Sequence, residues 1–206
     1  MPLIGKAFSV MARSKDFDEN EVLAKAVELF WLKGFNGTSM QEMVDALGIS
    51  RSSLYDTYVD KHTLYLKALE FYQSNSFIQI DGIIDKTPSA RDAVRQLLEF
   101  ITNNLLLDKQ HKGCFMLNAE VELAPQDAEV MNLVCKNDRQ IEDAFHKTIQ
   151  RGQRSGEITN KQNAKVLTRF FVNTIKGIRV SAKSTSDRSF FKDIVKTSLS
   201  ILDHDS

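Results

Sequence analysis

Apolar residues recur along this chain at helical spacing, and no stretch alternates apolar and polar positions long enough to predict a strand. Val22, Leu23, Ala26, Val27 and Phe30 make one apolar face, which predicts a first helix over about residues 19–33. Asp16 or Asp18 is placed to cap it and Gly34 to end it. Thr38 or Ser39 caps a short second helix carrying Met40, Met43, Val44 and Leu47, with Gln41 and Glu42 set for an approximate capping box. Gly48 ends that helix. Ser50 caps a third over 51–58, and Asp60 a fourth from 61 to about 76. A looser stretch is expected over 81–88. Five further helical segments follow, over 89–107, 114–123, about 126–154, about 161–182 and 187–202, with Pro125 and Gly156 as stops. The fold class is all-α.

Residues 38–61 read T-S-M-Q-E-M-V-D-A-L-G-I-S-R-S-S-L-Y-D-T-Y-V-D-K. Two short helices meet at Leu47-Gly48-Ile49, where glycine accepts the left-handed backbone of a tight turn. Met43, Leu47, Ile49 and Leu54 are expected to pack both helices on the first one. The later helix keeps small and polar residues at its start: Ser50, Arg51, Ser52 and Ser53. Bulky apolar residues there would block a helix from presenting its N-terminal end to base edges in a major groove. The pattern is that of a helix-turn-helix.

Composition changes this picture at one point. Lys+Arg and Asp+Glu both number 27, so formal net charge is zero. Over residues 16–75 the five basic residues Lys25, Lys33, Arg51, Lys61 and Lys67 face ten acidic ones, an unhelpful balance for a polyanion partner. Before Asp16 the balance reverses, with Lys6, Arg13 and Lys15 facing no acid. Residues 1–15 are expected to form a flexible basic extension, with Met11 as a possible natural start. Two cysteines and four scattered histidines give neither a disulfide scaffold nor a zinc spacing, so no metal or cofactor is expected. No apolar run approaches ~18 residues, and Lys6 interrupts any secretory core, so a cytoplasmic protein off the membrane is expected. There are no paired catalytic carboxylates, no nucleophile beside a base and no phosphate loop, which argues against an enzyme.

The chain resembles the TetR/AcrR family of transcriptional regulators. The matching features are Gly34-Phe35, Thr38-Ser39, Ala46-Leu47-Gly48-Ile49-Ser50 and Ser53-Leu54-Tyr55, followed by Tyr58 and Lys61. They cover about residues 18–72. Gly113-Cys114-Phe115-Met116-Leu117-Asn118 with Glu122-Leu123-Ala124-Pro125 looks like one AcrR-like branch. The resemblance implies a DNA-binding domain over 16–76 and a ligand-binding and dimerisation domain over 77–206, joined through the fourth helix. It places Thr38 and Ser39 on phosphate, Arg51, Ser52 and Ser53 on bases, Tyr55 and Tyr58 on the DNA backbone, and Lys61 on phosphate. Ser52 and Asp56 depart from residues common in the family, and the role of Asp56 stays open.

The same resemblance implies a homodimer through the last two helices. Val166, Leu167, Phe170, Phe171, Thr174, Ile175 and Ile178 form one broad stripe there, and Phe190, Phe191, Ile194, Val195, Leu199 and Leu202 another. Phe100, Asn104, Phe115, Met116, Asn118, Met131 and Asn173 are candidates to line a pocket for a small hydrophobic or aromatic effector. Cys114, beside His111 and Lys112 near a helix start, reads either as a redox or electrophile sensor or as a small buried residue. Glu122 reads as a solvated edge in preference to a partner for a cationic ligand. The expected function is regulated binding of double-stranded operator DNA, with repression released by the effector. The alternative is a helical ligand-binding or protein-interaction module whose DNA-reading unit is degenerate.

Overall fold

The computed structural model describes residues 17–203, and among these the regular structure is entirely helical. The expected extension over 1–15 therefore lies outside the described residues. Helix α1 (Glu19–Lys33) is capped by Asp18, whose carboxylate accepts the Asn20 amide at 2.8 Å. It buries Val22, Ala26, Val27 and Phe30. Ser39 and Glu42 close a reciprocal capping box on α2 (Met40–Leu47), and Gly48 ends α2 in the left-handed region at φ 70°. Ser50 caps α3 (Arg51–Tyr58) through the Ser53 amide, and Asp60 caps α4 (Lys61–Lys86) through Thr63. Five helices follow: α5 (Ala90–Leu107), α6 (Phe115–Glu122), α7 (Ala128–Ser155), α8 (Ala164–Ser181) and α9 (Arg188–Ser200), the last running into a short 3-10 turn.

Helix α4 is longer than the pattern predicts. It does not loosen after Ser76 but runs unbroken to Lys86. Ser74, Asn75 and Ser76 interrupt the apolar face, yet Phe77, Ile80, Ile83 and Ile84 resume it and pack on a second core. The helix stops where the Thr87 hydroxyl bonds back to the Ile83 carbonyl at 2.7 Å, just ahead of Pro88.

Two cores share α4. The first joins α1–α4 to α6 and the start of α7. Its centre is a chain of edge-on rings: Phe30–Tyr65 at 5.0 Å, Tyr65–Phe115 at 5.6 Å and Tyr72–Phe115 at 5.7 Å between centroids. Each such pair contributes about 0.5–1.5 kcal/mol beyond burial, so the rings tie α6 to α4 and, through Phe30, to the three-helix unit α1–α3. The second core packs the end of α4 with α5, α7, α8 and α9. Packing thus does not follow the order of the chain, since α6 comes late in sequence and sits in the first core. No helix of the described residues is long and apolar enough to cross a membrane.

Candidate functional site

The face of α3 follows from its sequence. Leu54 and Tyr58, four residues apart, are fully buried, which turns Arg51, Ser52, Tyr55 and Asp56 outward. The Ser50 hydroxyl lies 2.9 Å from the hydroxyls of both Ser52 and Ser53, fixing the first turn. The Arg51 guanidinium stands 5.9 Å from the centroid of the Tyr55 ring, at the outer reach of a cation–π contact on the exposed surface. Ser39 is exposed at the start of α2, its hydroxyl held by Glu42 at 2.8 Å. Glu42 is drawn down to about 2 by its hydrogen bond to Lys33 first and by Ser39 second.

Three of the expected DNA-contact residues have side chains that are buried or turned inward. Thr38 is 1% exposed, and its hydroxyl donates to the Gly34 carbonyl at 2.7 Å, which closes the turn ahead of α2. Tyr58 is 0% exposed; burial first, and the charge of Glu19 second, push its phenol up to about 12, and its hydroxyl has no partner among the described residues. Lys61 is turned inward. Its ammonium bonds the Thr38 carbonyl and lies 4.4 Å from the Phe35 ring centroid, while burial pulls its pKa down against the opposing pull of Glu122 and Glu42. Ser39, Arg51, Ser52, Ser53 and Tyr55 remain on or at the edge of the open face.

A second feature joins this unit to the rest of the molecule. Glu122, the last residue of α6, accepts the backbone amides of Phe35 at 3.0 Å and Asn36 at 2.8 Å. It is not the solvated edge that the sequence suggests. The approach is close enough that a Cβ on Gly34 would stand 2.8 Å from the Glu122 carboxylate, and Gly34 itself has φ 75°. Nearby, His62 at the start of α4 donates from Nε2 to Asp127, the cap of α7, at 2.7 Å. Lys112 crosses from the loop before α6 to pair with Glu28 and lies 4.4 Å from the Trp31 ring centroid.

A cavity of about 450 Å³ lies between α1, α4, α5, the start of α6 and Arg179 of α8. Phe100 and Asn104 line it, as the sequence leads one to expect. The other expected lining residues do not. Phe115 and Met116 are buried in the first core, and Asn118 bonds the Lys112 carbonyl and Lys183. Met131 and Asn173 face outward, because they fall on the solvent side of α7 and α8. Cys114 does line the cavity, 3% exposed, as the first residue before α6. The Tyr72 hydroxyl donates to its sulfur at 3.7 Å, and burial holds that phenol far above its ordinary range. The neighbouring basic residues bond elsewhere: Lys112 pairs with Glu28, and His111 bonds the Ala182 carbonyl. Sequence reasoning missed Trp31, Tyr72 and Arg179. Trp31, the single tryptophan, was the one visible signal.

Comparison with known proteins agrees with this geometry. Residues 22–68 match the family model described as bacterial regulatory proteins, tetR family, and residues 90–197 match the tetracyclin repressor-like C-terminal domain. The uncharacterized HTH-type transcriptional regulator YezE of Bacillus subtilis (strain 168) is 32% identical over 94% of this chain and 100% of its own length. The HTH-type transcriptional repressor ComR of Escherichia coli (strain K12) is 26% identical over 91% of this chain and 90% of its own. Among solved structures, a cysteine mutant of the TetR family regulator CifR, complexed with 26-bp operator DNA, superposes with a TM-score of 0.81 at 25% identity. That match covers 91% of this chain and 98% of the other.

Proposed function

This chain belongs to the tetR family of bacterial regulatory proteins, and from that premise we propose that it is a homodimeric repressor released from a palindromic operator by a small hydrophobic or aromatic effector. That it is a DNA-binding transcriptional regulator follows from the family. The observation that carries the finer reading is a shared wall. Helix α1 belongs to the three-helix unit and also lines the cavity through Ala24, Val27, Glu28 and Trp31. An effector that fits the cavity better in one setting of α1 shifts the population toward that setting.

In this reading Arg51, Ser52 and Ser53 meet base edges, and Ser39 and Tyr55 meet the phosphate backbone. Two copies pair through α8 and α9, where Val166, Phe170, Val180 and Phe190 stay 51%, 40%, 55% and 41% exposed in the single chain. A two-fold pair sets the recognition helices about 34 Å apart, one turn of DNA. Operator DNA bound to CifR supports the same class of partner here. The protein acts in the cytoplasm, where that DNA is.

The test is fluorescence anisotropy of a duplex from upstream of the chain's own gene, at two salt concentrations. Affinity falls with salt as phosphate contacts release counterions, and Arg51→Ala costs about 1–3 kcal/mol without unfolding the protein. Salt-independent binding, or an Arg51→Ala variant that binds as the parent does, refutes the assignment. Cys114 supports a second reading, because the thiol stands in the cavity wall where an electrophilic effector would meet it. A Cys114→Ser variant that leaves the operator on exposure to N-ethylmaleimide as the parent does removes that reading.

A further inference from the structure

The charged groups in the cavity wall are unequally engaged. Glu28 pairs with Lys112. Asp108 accepts the backbone amides of Gln110 at 3.2 Å and Lys112 at 2.6 Å, so each of its oxygens already holds a donor. Arg179 is half-buried, lines the cavity, and makes no ion pair or hydrogen bond among the described residues. A guanidinium carries five donors and stays charged, and holding it partly out of water without an anion is unfavourable.

Its position gives the cavity a polar end. The Arg179 carbonyl lies 3.3 Å from where a Cβ on Gly113 would stand, which puts this turn of α8 against the start of α6. Gly113 and Cys114 border the cavity at the N-terminus of α6, a helix with no side-chain cap. The positive end of the helix dipole therefore adds to the charge of Arg179. The charge of Arg179 already acts on the Tyr72 hydroxyl, which lies 3.7 Å from the Cys114 sulfur. Away from this end Trp31, Phe71, Ile80 and Phe100 form the apolar part of the wall, beside the amides of Asn75, Gln79 and Asn104.

We propose that the cavity takes an amphipathic anion, an aromatic or alkyl carboxylate or sulfonate, with its acid on Arg179 and its apolar body against Trp31, Phe71 and Phe100. This rests on reading the cavity as the effector site and adds the chemistry of the effector. The body of such a ligand touches α1 directly, while its acid touches α8 and the start of α6.

Two probes that differ by a single sulfonate test this: 1-anilinonaphthalene-8-sulfonate and N-phenyl-1-naphthylamine. Trp31 is the only tryptophan, so energy transfer from it to the probe reports occupancy of this cavity in the full chain. The anionic probe is expected to bind about tenfold tighter than the neutral one, the size of one charge-assisted contact. Arg179→Gln abolishes that advantage and leaves the neutral probe unchanged, and Arg179→Lys keeps part of it. Equal affinity for the two probes, equal loss of both in Arg179→Gln, or no transfer from Trp31 to either overturns the proposal. Should Arg179→Gln fail to fold, displacement of the neutral probe from the parent decides: 2-naphthoate must outcompete 2-naphthylmethanol, and the reverse order overturns the idea. Operator binding measured alongside separates the two readings. If the neutral probe fills the cavity and releases DNA with no gain from the sulfonate, only the anion assignment falls. If the anionic probe fills it through Arg179 and the operator stays bound, the effector reading falls instead.

Discussion

Replacing Glu122 by alanine removes the two hydrogen bonds that tie the end of α6 to the turn after α1. Both are made to a carboxylate, at 3.0 and 2.8 Å, and bonds to charged groups contribute about 1.5–3 kcal/mol each when well shielded. Here the site is partly open and water can replace the carboxylate, so the pair contributes about 2 kcal/mol together. The loss is local, since the aromatic contacts of α6 with Tyr65 and Tyr72 remain. Native-state hydrogen exchange resolves it: the Phe35 and Asn36 amides should exchange about thirtyfold faster, the equivalent of 2 kcal/mol, while amides in α8 keep their protection. Glu122→Gln retains one acceptor and should lose about half as much free energy. Gly34→Ala attacks the same joint from the other side, through a 2.8 Å clash with the carboxylate and a backbone at φ 75°. In the double variant the clash is gone and only the backbone strain remains, so the two effects must be non-additive. Unchanged exchange at Phe35 and Asn36 in Glu122→Ala, or additive effects in the pair, would refute the reasoning.

Tyr58→Phe deletes a buried hydroxyl with no partner among the described residues, so thermal stability should stay level or rise by up to about 1 kcal/mol and operator affinity should not change. A loss of affinity would return Tyr58 to the DNA contact set. Glu42 has a folded-state pKa of about 2 against an ordinary 4.5. A depressed pKa means that its contribution is complete above about pH 4.5 and is lost as pH falls toward 2. Glu42→Gln should flatten that part of the acid unfolding curve, and an unaltered acid limb would count against the Lys33 and Ser39 bonds as its source. Phe170→Glu places a charge on the exposed apolar side of α8 and should shift the protein to monomer in sedimentation, with operator affinity falling in step; a dimer that persists would move the interface elsewhere.

Most of what the sequence made legible was local. Asp18, Ser39, Ser50 and Asp60 each cap the helix that their spacing marks, because a cap is decided within three residues. The inward turn of Thr38, Tyr58 and Lys61 was not legible, since it depends on contacts such as Lys61 to the Thr38 carbonyl, 23 positions away. Glu122 was misjudged for the same reason: its partners lie 87 and 86 positions back, and neither is a side chain. The cavity was half visible. Phe100 and Asn104 sit on the amphipathic α5, whose faces can be read from its own period, whereas Trp31 and Arg179 reach the wall only once α1 and α8 have packed.

The two sites are joined by helices that end in both. Helix α6 starts at the cavity, just after Cys114, and ends at the joint with Glu122; its eight residues span about 12 Å. Helix α1 lines the cavity through Trp31 and runs into the Gly34 turn that Glu122 holds. A ligand that separates the wall of α1 from the start of α6 therefore works against the Glu122 bonds, and a protein without them has less to lose when the cavity fills. Glu122→Ala should then keep its affinity for a cavity ligand while the ratio of operator affinities with and without that ligand shrinks. Coupling is reciprocal, so operator DNA should weaken ligand binding less in this variant than in the parent, by the same factor. If instead the ratio is unchanged while Phe35 and Asn36 exchange freely, the signal runs through the shared α4 alone.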